Sequence, residues 1–158
     1  MKAQELWDLF AKENNIDDRY EAWAFCNGGS VGDLLAGLVL AGVKTATASS
    51  YILYQTNHEP VPKAGDYSVI LYDSGEAACI VRTTSITLTP FDEVPERHAY
   101  LEGEGDRSLG YWKEVHREFF TPDYELAGVP FDEHGLCVLE EFELVFTPPI
   151  YQDDNLNV

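Results

Sequence analysis

Apolar positions along this chain fall into short blocks whose period changes from one block to the next. Within residues 2–14, Leu6, Trp7 and Phe10 form a single stripe interrupted by charges, which predicts an amphipathic helix that Asn14 and Asn15 would end. The block YEAWAF at 20–25 is dense in aromatics and is followed by Asn27, Gly28 and Gly29, a turn cluster. Ser30 followed by Asp33 resembles a capping box, and LLAGLVLAG predicts a second, largely buried helix with Gly42 just past its end. From Lys44 the texture becomes β-branched and small (KTATASSYI), which favours a strand or the exit of a tight turn.

Residues 54–66 carry Pro60, Pro62, Gly65 and Asp66 and read as a loop. Tyr67 to Tyr72 and Ala77 to Leu88 read as two strands of a hairpin turned at Asp73-Ser74-Gly75. Phe91 to Leu101 has a helical pattern, Glu102-Gly103-Glu104-Gly105 breaks it, and Asp106 can cap a helix bearing Leu109, Trp112, His116 and Phe119. Leu136 to Phe146 is the last expected strand, and residues 149–158 offer little to bury, as expected of a flexible tail. Strands mixed with helices and no regular βαβ alternation predict an α+β domain with a small mixed or antiparallel barrel. That domain is expected to span 1–148, with a helical region over 1–42.

A length of 158 residues suits one domain, and 45% hydrophobic content places the chain among globular proteins. Charge changes the picture more. Against 28 acidic side chains stand 10 basic ones, a formal net charge of −18, so an extended nucleic-acid surface lacks the cations it would need. Lys44, Lys63, Arg82, Arg97, Arg107, Lys113 and Arg117 nonetheless fall between positions 44 and 117, which leaves room for a local basic patch. Cys26, Cys79 and Cys137 are widely spaced and unpaired in sequence, indicating neither a disulfide framework nor a zinc knuckle. The opening MKAQELWDLFAKEN does not read as a secretory signal, and no apolar run approaches the roughly 18 residues of a membrane span. A cytoplasmic location without membrane contact is expected.

Three segments, GVKTATAS at 42–49, PKAGDYSVI at 62–70 and ERHAYLEGEGDRSLGYWKEVHREFF at 96–120, together resemble the ASCH domain family. The likeness extends from about Tyr20 to the closing CVLEEFELVF. What the resemblance implies is a PUA-like β-barrel with a cleft into which the lysine of the K-T-x-T segment points, and an activity on RNA or nucleosides. A small bacterial branch removes the acyl group from acetylated cytidine nucleosides with a Lys, the Thr three residues later and a Glu in an H-A-x-x-E segment. Matched by position these are Lys44, Thr47 and Glu102. The longer N-terminal region and the EGEGD insertion resemble instead a larger branch, in which ribonuclease activity occurs.

The residue types suit acyl transfer, which needs a nucleophile, an acceptor for its proton and a donor to the leaving amine. Thr47 offers the hydroxyl, and Lys44 at i−3 can approach it in a tight turn but not along a regular strand. At an ordinary pKa of about 10.4 a lysine is a poor base at neutral pH, so Lys44 either has its proton affinity lowered by burial or stays an ammonium that stabilises an oxyanion while Glu102 acts as base. Both assignments are open at this level, and the second is the favoured one. Trp23, Phe25, Thr45, Ser49, Tyr51, Arg82, Arg107 and Ser108 are the candidate substrate-binding residues, with Trp23, Phe25 and Tyr51 as stacking surfaces.

Each candidate has a plainer explanation. Lys44 could serve a helix C-terminus, Thr47 a strand, and Glu102 a solvated acidic face. Glu102, Glu104 and Asp106 alternate with glycines, yet the spacing is not that of an EF-hand, so neither metal nor cofactor is expected. His98 and His116 sit on apolar helical stripes and read as core or boundary residues. Three functions are therefore weighed: a nucleoside- or RNA-directed hydrolase, a module that binds a nucleotide or a local RNA segment without chemistry, and an acidic protein-interaction domain.

Overall fold

A computed structural model describes the chain through residue 152; residues 153–158, and with them most of the expected tail, lie outside the described residues. Its α-helices are α1 (Ala3–Asn14), α2 (Gly29–Leu40), α3 (Tyr51–Asn57), α4 (Glu96–Glu102), α5 (Leu109–Leu126) and the short α6 (Pro149–Gln152). Its strands are β1 (Tyr20–Trp23), β2 (Ala46–Ser50), β3 (Tyr67–Leu71), β4 (Ala77–Pro90) and β5 (Leu136–Phe146). The strand order is β1-β3-β4-β5-β2. The mixed α+β class stands, whereas the expected barrel does not close: β1 and β2 are the two edges of an open sheet. Closure requires the edges to pair, and the alternation of side chains along a strand carries no information about which strands end at an edge.

The described chain divides into two compact units, residues 1–43, 65–83 and 142–152 in one and residues 44–64 and 84–141 in the other. In the first unit, β1 runs parallel to β3 and β3 antiparallel to β4, the expected hairpin, with Tyr67 opposite Arg82. Leu6, Trp7 and Phe10 of α1 pack with Val69, Ala77 and Ile80, as the opening stripe predicts, and Asn15 ends the helix in the left-handed region. A second cluster joins Phe25, Leu35, Ala36 and Val39 to Ile70, Cys79 and Val81.

The start of α2 departs from the expected capping box. The Gly29 N–H is taken by Asp73 Oδ1 at 2.7 Å, and Asp33 Oδ1 in turn accepts the Asp73 N–H at 2.7 Å. The cap thus comes from the hairpin turn 44 residues away, a partner that local spacing cannot announce. Gly28 permits it: at φ 96° a side chain is strained, and a Cβ there would lie 2.7 Å from Asp73 Oδ1. The end of α2 follows the sequence reading. Gly42 is left-handed at φ 76°, Gly42 N–H donates to the Val39 carbonyl and Val43 N–H to the Leu38 carbonyl, both at 3.0 Å, which is the Schellman arrangement. Lys44 is the second residue beyond that glycine.

In the second unit, β2 and β5 are antiparallel, with Thr47 opposite Glu140. Trp112, His116, Phe120 and Tyr124 form the buried stripe of α5 and pack with Phe91, Val94, Ala99 and Leu139. The buried member is Phe120, while Phe119 is exposed. Residues 51–57, expected as strand and loop, are α3, whose partly buried Ile52 packs against this cluster. The helical pattern expected over 91–101 divides into a 3-10 turn at Phe91–Glu93 and then α4, since Pro95 supplies no N–H to continue a helix.

Candidate functional site

The site builds from three chain segments of the second unit. Thr45 N–H donates to the Leu101 carbonyl at 2.8 Å, tying the lead-in of β2 to the end of α4. Lys44, the preceding residue, turns its side chain inward. Glu102 is the last residue of α4, and Gly103 ends that helix at φ 74°. Ser108, not Asp106, is the N-cap of α5: its Oγ accepts the Tyr111 N–H at 3.1 Å, while Asp106 Oδ1 accepts the Ser108 N–H at 2.9 Å.

These segments bring an ammonium between two carboxylates. Lys44 Nζ lies 3.3 Å from Glu102 Oε1, 3.4 Å from the Glu102 carbonyl and 3.0 Å from Glu104 Oε2. Lys44 and Glu102 are each only 2% exposed. The Glu104 side chain retains 20% of its surface. Glu102 is held from the other side as well: His98 Nε2 is 2.8 Å from Oε2, the Trp112 indole N–H donates to the same oxygen, and His116 Nε2 stands 3.6 Å from Oε1. His98 and His116 are buried, as the apolar stripes predict, but both are directed at a carboxylate.

Burial by itself would push the Glu102 carboxyl up, but the Lys44 charge, followed by the His116 and His98 N–H groups, outweighs it and holds Glu102 well below the usual carboxylate range. Glu102 is accordingly ionised and Lys44 faces an anion. Arg107, at φ 64°, donates from Nε to the Tyr100 carbonyl at 2.9 Å and lays its guanidinium 3.6 Å from the centre of the Tyr100 ring. It thereby anchors the loop that presents Glu104.

The remaining candidates divide between the units. In the second, Thr47 is half-buried on β2, three residues beyond Lys44. Thr45 Oγ1 lies 3.4 Å from the Leu101 carbonyl, Ser49 Oγ and Tyr54 Oη are 2.8 Å apart, and Tyr51 is the first residue of α3. Trp23, Phe25 and Arg82 belong to the first unit. There Phe25 is buried with Trp23 edge-on at 4.9 Å, and Arg82 Nη1 is 3.6 Å from Glu143 Oε1. Sequence reading missed Trp112 and Glu104 as contacts of this cluster, and the i, i+4 spacing of Trp112 and His116 beside an i, i+4 pair of His98 and Glu102 was the available signal.

Among the described residues no group of three or more His, Cys, Asp or Glu side chains is arranged to hold a metal ion, and no helix is long and apolar enough to cross a membrane. The ASCH domain profile matches residues 21–146. An ASCH domain structure from Lactobacillus crispatus JV V101 is 32% identical, with a TM-score of 0.81 over 90% of this chain and 95% of that one. A protein of Enterococcus faecalis V583 assigned to the DUF984 family is 33% identical, with a TM-score of 0.86 over 95% of this chain and 91% of that one. No curated protein matches the chain.

Proposed function

This chain belongs to the ASCH domain family, and from that premise we propose that it is a hydrolase acting on an acylated nucleoside or on RNA through Lys44, Thr47 and Glu102, on a scaffold that is an open relative of the PUA-like barrel. The observation that carries this reading is the burial of Lys44 against Glu102 and Glu104. Dehydrating two charges, Lys44 and Glu102, is costly, and a well-packed apolar core would serve stability as well or better. Charged groups kept in such surroundings are candidates for chemistry.

Because Glu102 is ionised, the favoured division of labour gives Lys44 the role of a fixed cation and Glu102 that of the base. For an acylated amine, the Thr47 hydroxyl attacks the acyl carbon and Glu102 takes its proton. Lys44 stabilises the oxyanion, and the C–N bond breaks as Glu102 returns the proton to the departing nitrogen. Water then cleaves the ester on Thr47. Glu104, the partner of Lys44 with access to solvent, occupies the position that an anionic oxygen of the substrate would take.

The experiment is hydrolysis of an N-acylated cytidine, and separately cleavage of single-stranded RNA, by the wild type and by Lys44→Ala. Turnover of either substrate that collapses in the variant supports the reading, and equal rates for both proteins refute it. A second reading, a binding module for a nucleotide or a local RNA segment, is favoured by the near-complete enclosure of Lys44. Saturable binding without turnover would establish it.

A further inference from the structure

Arg107 stands at a backbone position that suits glycine. The loop after α4 passes through the left-handed region at Gly103 (φ 74°), Gly105 (φ 58°) and Arg107 (φ 64°), and only the third of these carries a side chain. An arginine has no short polar side chain to offset that conformation locally, as asparagine or aspartate does, so the offset comes from contacts further along the chain. Two are present: Nε donates to the Tyr100 carbonyl at 2.9 Å, and the guanidinium lies 3.6 Å from the centre of the Tyr100 ring. The planar group is thus held flat, with its orientation fixed before any ligand arrives.

What this guanidinium lacks is an anion. Arg97 forks onto Glu141 and Arg117 onto Glu133, the usual arrangement in a chain with 28 acidic side chains. Arg107 has acids close by in sequence and pairs with neither: Glu104 Oε2 is 3.0 Å from Lys44 Nζ, and Asp106 Oδ1 accepts the Ser108 N–H at 2.9 Å. Among the described residues no carboxylate lies within ion-pair distance of Arg107. With Nε on the Tyr100 carbonyl, the Nη edge keeps its donors for another partner, and that edge matches two oxygens of a phosphate. Tyr100, although the guanidinium covers part of it, is still 56% exposed, so the pair opens to solvent. Arg107 N–H also donates to the Glu104 carbonyl at 3.0 Å, closing a β-turn whose ends lie within about 7 Å of each other. One turn therefore carries both the carboxylate that meets Lys44 and the unpaired guanidinium.

We propose that the Nη edge of Arg107, held flat on Tyr100, binds a phosphate of the substrate, so that the site takes a phosphorylated nucleoside, as a free nucleotide or within a short RNA, in preference to a bare nucleoside. This rests on the reading of the Lys44–Glu102 site as one for nucleosides or RNA. A net charge of −18 works against any anion at long range, so a cation that no carboxylate neutralises is what a phosphate requires here. Arg107 is then a residue that sets specificity. An arginine that only anchored its loop would affect every ligand alike, whereas a phosphate contact affects phosphorylated ligands alone.

The test is isothermal calorimetry with cytidine, cytidine monophosphate and the cytidine dinucleotide on the wild type, Arg107→Gly and Arg107→Lys. Glycine suits φ 64° better than arginine does, so Arg107→Gly removes the guanidinium while keeping the turn, and its melting temperature checks that the fold is retained. The wild type is expected to bind a phosphorylated ligand roughly 10- to 100-fold more tightly than cytidine, the range of a charge-assisted hydrogen bond. Arg107→Gly abolishes that preference and leaves cytidine binding as it was, and Arg107→Lys restores only part of it, because an ammonium is not a planar fork. Tighter binding of the monophosphate assigns the phosphate to a free nucleotide, and tighter binding of the dinucleotide assigns it to RNA. No preference in the wild type, no binding of any of these ligands, or an equal loss for all of them in Arg107→Gly overturns the proposal. Turnover judges the hydrolase reading separately. A preference that depends on Arg107, without hydrolysis of the acylated ligands or of RNA, supports the phosphate contact and refutes the hydrolase; hydrolysis of acylated cytidine with no phosphate preference does the reverse.

Discussion

Replacing Lys44 by Met keeps most of the side-chain volume and removes the charge, so it isolates what the ammonium does. At 3.3 Å from Glu102 Oε1, the attraction is worth roughly 5 kcal/mol at an effective dielectric of about 20, before the cost of dehydrating both groups is subtracted. Glu104 is closer, at 3.0 Å, but its partial exposure lets it turn to solvent and limits its share. The larger effect is on Glu102, left ionised in a site with 2% exposure. Removing one partner of a buried pair costs about 3–5 kcal/mol, and the His98 and Trp112 donors that remain on Oε2 hold this case near ~3 kcal/mol. With an m-value of about 1–3 kcal/mol/M, the urea midpoint at pH 7 falls by about 1 M or more. Lys44→Met with Glu102→Gln recovers a large part of the loss, since the orphaned charge is gone. A single-variant cost under about 1 kcal/mol, or losses in the double variant that simply add, would mean that the pair is not the energetic unit described here.

Four further outcomes follow from the same structure. Glu102 is held well below its ordinary range in the folded state, so its contribution to stability is present above the unfolded carboxyl pKa of about 4.3 and disappears as pH falls through the lower folded value; melting temperatures of wild type and Glu102→Gln should stay apart at about pH 4 and converge only in stronger acid. Glu104→Gln frees Lys44 from one carboxylate without adding bulk, and the proposed function predicts tighter binding of an anionic nucleotide by isothermal calorimetry, with no change if Glu104 does not occupy the ligand position. Asp73→Ala removes the distant cap of α2 and should cost about 1 kcal/mol, seen as a lower melting temperature, while Asp73→Asn costs less. Cys26 is exposed, whereas burial pushes the Cys79 thiol up to about 12 and buries Cys137 as well, so a thiol reagent at pH 8 should titrate one group quickly and the other two only on unfolding.

Local pattern carried a good part of the fold. The Leu6, Trp7 and Phe10 stripe, the left-handed stop at Gly42, the β3–β4 hairpin and the closing strand all rest on interactions within a few residues or on a period that repeats along one element. Helix α3 was hidden because Tyr51-Ile52-Leu53-Tyr54 suits a strand as readily as a helix; only the fold shows Ile52 packed against the core. The Asp73 cap and the true buried stripe of α5 were hidden for a related reason, since both depend on which surface lies opposite.

The site divides in the same way. The family resemblance carried by the K-T-x-T and H-A-x-x-E segments nominated Lys44, Thr47 and Glu102, and composition set aside an extended polyanion surface. Nothing in the chain's periodicity states that Lys44 and Glu102, 58 residues apart, meet at 3.3 Å, that Glu104 joins them, or that His116 stands behind the carboxylate. Propensity and hydrophobic period are properties of neighbours in sequence and so are written in it. Enclosure, charge balance and the protonation they impose are properties of neighbours in space, and they came into being only when the loop before β2, the end of α4 and the first turns of α5 closed on one another.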